Sequence, residues 1–204
     1  MSRFIRRRTV VGGIALLPAL FAGLRGARAA GCEAKLGDDG LWHQDWFLES
    51  FLVLREDLEE AVAQGKSFAV FWELAGCPYC KETHLVNFAR PDICDYVRNN
   101  FVVVQLDFVG SRTVTDFDGE ELAERDMRAK YAIRFTPTIQ FFPDSPEEID
   151  RRLAERGGRA GRHLEVARIQ GYMEPDPFLA MFRYVREKAY ERTTFEEYLL
   201  ELLG

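Results

Sequence analysis

The residues Phe68-Ala69-Val70-Phe71-Trp72-Glu73-Leu74-Ala75-Gly76-Cys77-Pro78-Tyr79-Cys80 decide how this chain is read. Ser67 to Trp72 is a continuous apolar run, the pattern of a strand buried on both faces. A C-x-x-C follows at once, and Lys81 to Ala89 reads as helix. A thiol at a helix N-terminus faces unpaired backbone N–H groups and the positive end of the helix dipole, so its thiolate is favoured. Cys77 is therefore the candidate nucleophile. Cys80, one turn on, is placed to displace a partner held on Cys77 as a mixed disulfide. Pro78 suits a first helical turn, where a missing N–H costs nothing. The competing readings are a structural disulfide or half of a zinc site. Zinc needs more ligands, and the chain has four cysteines and three histidines without a second C-x-x-C.

Outward from this stretch, Arg55 to Gln64 carries Leu58, Ala61 and Val62 at helical spacing and stops at Gly65. On the other side, the cysteine-bearing helix should end near Arg90-Pro91, with a short helix from Asp92 to Asn99 after it. Phe101 to Phe108 is β-branched, apolar and bounded by Asn99-Asn100 and Gly110, a strand. Residues 109–119 read as turns, Glu120 to Tyr131 as helix, and Ile133 to Phe142 as a strand with Pro137 near its start, where a missing ladder donor is tolerated. Asp144 to His163 reads as a charged helical or mobile excursion. Leu164 to Gln170 reads as the last strand, and Asp176 to Tyr190 and Thr194 to Leu203 as helices. Strands alternating with helices imply an α/β fold, a single domain over residues 30–204 with its core at about 50–190. In the aromatic arm before it, Trp42, Trp46 and Phe47 are expected to pack on the core and His43 to lie at the surface.

The chain has 204 residues and 47% hydrophobic content, enough for one compact core. Residues 1–29 differ in kind: Arg3, Arg6, Arg7 and Arg8 precede the weakly apolar Val10–Leu24, and Ala27-Arg28-Ala29 follows. That order is a cleavable export signal. Arg7-Arg8-Thr9-Val10-Val11 is similar to a twin-arginine signal. Without residues 1–29, 21 basic side chains face 33 acidic ones, a formal charge of −12. Such a surface argues against nucleic acid or an anionic membrane face as partner, and export makes disulfides permissible. Cys32 in Ala29-Ala30-Gly31-Cys32 can be read as a lipid-attachment site, but Arg25 and Arg28 separate it from the apolar run, so an unpaired or structural Cys32 is preferred. Cys94 reads most simply as a small buried apolar side chain. Its pairing with Cys32 stays open, because connectivity does not follow from sequence.

These pieces, in their order, resemble the thioredoxin superfamily, and in particular its exported SoxW-type thioredoxin-like group. Gly76-Cys77-Pro78-Tyr79-Cys80-Lys81 follows a buried strand; Asn100 to Asp107 looks like the next strand; Thr136-Pro137-Thr138 looks like the family's cis-proline loop; and Gly171-Tyr172 before a terminal helix looks like its closing segment. The resemblance covers residues 50–190, and the arm and the Tyr190–Leu203 tail are similar to this subgroup. It implies a thioredoxin fold, a central mixed sheet flanked by helices, with an N-terminal arm and an extra C-terminal helix. It also implies that Pro137 is cis and faces the cysteines, and that the Thr136 backbone pairs with an extended client.

The chain departs from ordinary thioredoxins in having no Asp in the strand before the cysteines. Glu73 is the nearest carboxylate, read either as an aid to deprotonating Cys80 or as half of a surface salt bridge. His84, four residues after Cys80, is read as structural or as tuning the thiol, and Trp72 is a further tuning candidate. Pro78, Tyr79, Thr136 and Pro137 are the candidate substrate-binding residues. The leading expectation is a periplasmic reductase of client-protein disulfides, with Cys77 and Cys80 catalytic, no cofactor beyond their redox-active disulfide, no metal, a membrane thiol-disulfide carrier as electron donor, and a monomeric state. The alternatives are a disulfide oxidase or isomerase, and a non-catalytic binding module in which the cysteine pair is a structural disulfide.

Overall fold

The computed structural model describes residues 32–203; the export-signal expectation lies outside them. An arm comes first, with β1 (Lys35–Leu36) paired antiparallel to β2 (Trp42–His43). Then follow α1 (Leu54–Ala63), β3 (Ser67–Glu73), α2 (Pro78–Glu82) running into a π-helical turn (Thr83–Asn87), α3 (Pro91–Asn100) and β4 (Phe101–Asp107). The second half holds β5 (Thr113–Thr115), β6 (Glu121–Ala123), α4 (Glu124–Lys130), β7 (Thr138–Phe141), α5 (Pro146–Glu155), β8 (Ala167–Gln170), α6 (Pro175–Arg186) and α7 (Phe195–Leu203). Among the described residues no helix is long and apolar enough to cross a membrane.

The main sheet has the order β4-β3-β7-β8. β3 lies parallel to β4, from Ser67 opposite Phe101 to Glu73 opposite Asp107, while β7 is antiparallel to both β3 and β8. Parallel β3 and β4 need a crossover, which α2 and α3 supply. Alternation along the buried strands divides the interior in two. Phe68, Val70 and Trp72 of β3 join Leu54, Leu58, Met127, Ile149 and Leu153 on one face. Ala69 and Phe71 join Phe88, Ile93, Val97, Phe178 and Phe182 on the other. The sheet is thus mixed and covered by helices on both faces, the fold expected from the sequence.

β4 is an edge strand of this sheet, and the arm covers it: the Leu48 N–H donates to the Val103 carbonyl at 2.9 Å. Covering an edge removes a template for pairing with other chains. The arm is tied at its start by a Cys32–Cys94 disulfide to α3. This corrects the expectation for Cys94: it is fully buried, as expected, but it is bonded. Trp46 and Phe47 pack edge-on against Phe88, as an aromatic arm should, and exposed His43 pairs with Asp39.

Three further expectations need correction. Glu120 to Tyr131 is not one helix: residues 121–123 pair with 113–115 as a hairpin, and helix begins at Glu124. Helix-forming side chains are overridden there by tertiary hydrogen bonds, as the Asp116 N–H reaches the Glu120 carbonyl at 2.9 Å. The strand expected from Ile133 begins only at Thr138, and the one expected from Leu164 only at Ala167. The charged stretch after Asp144 is helical over Pro146–Glu155. Ser145 caps it, accepting the Glu148 N–H, and Ile149 and Leu153 are its buried stripe.

Candidate redox site

The site forms where β3 gives way to α2. Gly76, in the left-handed region at φ 75°, turns the chain so that Cys77 becomes the N-cap residue of α2, with Pro78 at the first helical position. The Cys80 N–H donates to Cys77 Sγ at 3.1 Å. Such a donor stabilises negative charge on that sulfur once the bond to its neighbour is opened. Cys77 and Cys80 are joined as a disulfide; Cys77 is half-buried, whereas Cys80 is only 2% exposed. One sulfur is therefore reachable and the other shielded behind it.

Opposite Cys77 lies the loop before β7. The Thr136–Pro137 bond is cis, the Thr136 carbonyl is 3.6 Å from Cys77 Sγ, and the Thr136 hydroxyl is 3.5 Å from it. Thr138 Oγ1 donates to the Phe135 carbonyl at 2.8 Å, and the Gly171 N–H to the Pro137 carbonyl at 2.8 Å. These bonds hold the loop against the cysteines. Tyr79 stacks on Tyr172 with ring centroids 6.2 Å apart. Tyr79, Phe135, Thr136 and Tyr172 line an open groove of about 670 Å³, and Tyr79 and Phe135 are more than half exposed.

Behind the cysteines the helix widens. Phe88 N–H bonds back to the Thr83 carbonyl, five residues earlier, and the inward stripe is Cys80, Thr83, His84, Asn87 and Phe88. Single π turns of this kind recur at functional sites. His84 is fully buried, and its Nε2 lies 2.8 Å from Glu73 Oε1. Glu73 is 1% exposed, which corrects the surface salt-bridge reading. Alternation along β3 puts Glu73 on the same face as Phe71, and the ring of His84 stacks on Phe71 at 5.6 Å. Burial pushes the Glu73 carboxyl above its ordinary range, opposed by hydrogen bonds from His84 and Gln105.

Trp72 points to the other face, where its indole N–H donates to Gln140, so it is separated from the Glu73–His84 pair by the sheet. Two buried side chains complete the pair. Gln44 of the arm brings Nε2 to 3.2 Å from His84 Nδ1, and Gln105 of β4 donates to Glu73 Oε2. Nothing in the spacing of Gln44 or Gln105 marks them. The only sequence signal is that Gln105 is polar inside an otherwise apolar strand.

Residues 54–154 match the family model described as a thioredoxin-like domain. In structure the chain is similar to a thioredoxin-fold protein from Helicobacter pylori, at 18% identity and TM-score 0.49, covering 75% of this chain and 91% of that one. It is also similar to a thioredoxin from Thermus thermophilus, at 22% identity and TM-score 0.45, covering 65% and 83%. No curated protein matches it. The matched stretch carries β3, the cysteine pair, β4 and β7, so a thioredoxin-like domain is what the comparison supports for residues 54–154, and thiol-disulfide oxidoreductase is the general class that such a domain suggests.

Proposed function

We propose that the protein is a periplasmic thiol-disulfide reductase of the SoxW type, which passes electrons from a membrane thiol-disulfide carrier to disulfides in client proteins. The observation that carries this reading is the asymmetry of the cysteine pair: Cys77 is reachable at a helix N-cap beside Thr136 and cis Pro137, and Cys80 is buried behind it. In the reduced protein the Cys77 thiolate attacks one sulfur of a client disulfide. A Cys77–client bond forms, and the client's other sulfur leaves as thiolate and takes a proton. Cys80 then loses its proton and attacks Cys77 Sγ, which releases the second client sulfur and leaves Cys77–Cys80 oxidised. Two electrons reach the client, and the carrier restores the dithiol. No metal or further cofactor enters these steps.

The groove lined by Tyr79, Phe135, Thr136 and Tyr172 suits an extended apolar client segment, with Thr136 offering backbone pairing. Residence in an oxidising compartment is supported by the Cys32–Cys94 disulfide and by the basic, apolar and small-residue order of residues 1–29. With its sulfur in that disulfide, Cys32 has none to offer a lipid. Insulin-disulfide reduction tests the proposal: the wild type should turn over with a thiol donor and Cys77→Ser should not. Full activity in that variant would refute it. The Cys80 N–H on Cys77 Sγ stabilises the thiolate and so favours a disulfide oxidase as second reading. A measured potential near that of thioredoxin, about −270 mV, supports the reductase, and one near −120 mV the oxidase.

A further inference from the structure

The buried polar cluster behind Cys80 holds two glutamines that bind the same pair in different ways. Gln105 uses both amide hydrogens, one on Glu73 Oε2 and one on the Trp42 carbonyl at 2.7 Å, so its orientation is locked. The Gln44 side chain has a single bond among the described residues, from Nε2 to His84 Nδ1. Its Oε1 is buried and has no hydrogen-bond partner among the described residues. A buried carbonyl oxygen left unpaired is costly. In this arrangement Nδ1 accepts and Nε2–H donates to Glu73, so the ring carries one proton. If the ring takes a second proton, Nδ1–H needs an acceptor, and a half-turn of the Gln44 amide supplies Oε1 at that place.

We infer that Gln44 is a positioning residue for proton transfer at the buried cysteine: its amide turns to match the charge of His84, which lets the His84–Glu73 pair take up and release one proton behind Cys80. This rests on the reductase reading. During resolution the Cys80 S–H bond breaks, its proton passes to the pair one helical turn away, the S–S bond to Cys77 forms, and the client thiolate leaves.

The surroundings fit a held proton. Phe47, Phe71 and Phe88 wall the imidazole with centroids 5.6–5.8 Å away, so charge there depends on Glu73 and Gln44. Burial raises the affinity of Glu73 for a proton. The charged groups facing the cluster are His43 of β2, which acts on Glu73 and pairs with Asp39, and Arg112, which donates to the Gln105 carbonyl and to Glu124. Gln44 and Gln105, the two side chains bonded to the pair, also line a groove of about 640 Å³ together with His43, whereas His84 and Glu73 themselves are buried behind them.

The test uses reduced full-length protein, with nitrogen NMR of the His84 ring against pH and single-turnover release of a client peptide from a mixed disulfide on Cys77. Gln44→Leu removes the acceptor for the imidazolium, whose charge-assisted bond is the stronger one, and should lower the His84 midpoint by about one pH unit. Gln44→Glu should raise it by a similar amount, and the midpoint of the release step should move with the ring in both variants. Gln44→Met replaces Gln44→Leu if the latter does not fold. A merely structural Gln44 would leave the His84 midpoint unmoved in both variants, or move it the same way in both, and either result overturns the inference, as does a release midpoint that stays put while the ring midpoint moves. The NMR titration needs no turnover, so loss of insulin reduction in the wild type would refute the reductase reading while leaving the Gln44 result to stand or fall separately.

Discussion

The two disulfides are the same bond in opposite settings. Cys77–Cys80 joins positions three apart at a helix N-cap, with one sulfur reachable beside a groove. Cys32–Cys94 spans 62 residues and clamps the arm to α3, with Cys94 fully buried. Sequence separation and surroundings, not chemistry of the bond, separate a reactive pair from a staple. A short loop adds little chain-entropy stabilisation, whereas a long one adds much.

The largest effect expected from that contrast is in catalysis. Cys77→Ser should lose insulin reduction by orders of magnitude, while Cys80→Ser should still attack and should accumulate mixed disulfides visible on non-reducing gels. Recovery of no adducts from the second variant would break the assignment of roles. Next, replacing both Cys32 and Cys94 by Ser should cost roughly 4 kcal/mol of stability, the chain-entropy value for a loop of that length, read by urea denaturation. The same variant should still reduce insulin at a temperature where it remains folded. A stability cost near zero would mean the arm is held by its other contacts. Smaller again, Tyr79→Ala and Phe135→Ala should raise KM for a peptide disulfide several-fold and leave thiol reactivity of Cys77 unchanged, because they remove groove surface only.

A further effect lies away from both disulfides and sets the background against which their pH dependence is read. Burial of Asp57 pushes its carboxyl up to about 6 from 3.8, against the hydrogen bond it accepts from Ser50 and with the help of Glu60 and Glu56. The folded state then holds this proton more tightly than the unfolded chain. Stability from this group should fall as pH rises from about 4 to about 6, by at most about 1.4 kcal/mol per pH unit. Asp57→Asn should flatten that slope in denaturation curves taken across the window.

Much of the fold was legible because its central strands are apolar runs: Ser67–Glu73 and Phe101–Asp107 carry their own burial in their composition. The cysteine pair at a helix start was legible from C-P-Y-C because it follows a buried strand, and its cis-proline partner from the family resemblance. What escaped was long-range. The hairpin of residues 113–123 is built from helix-forming side chains held by backbone bonds, with Lys130 pairing Asp116, Asp118 and Glu120 around it. The partners of Cys94 and of His84 lie 62 and 40 residues away along the chain, and no local pattern encodes such distances. Glu73, at the end of a strand, leaves a role beside Cys80 and a surface salt bridge equally open in the sequence, and only its long-range partners His84 and Gln105 show it to be buried.

Placement makes Cys77 and Cys80 unequal: one sulfur is reachable at the helix N-cap and the other is buried. Residue-by-residue alkylation of the dithiol form against pH, followed by mass spectrometry, measures that inequality. Cys77 should be modified first, with a midpoint well below the ordinary thiol value of about 8.5, and Cys80 should stay protected while the protein is folded. Equal rates at the two sulfurs, or a Cys77 midpoint at the ordinary value, would contradict it.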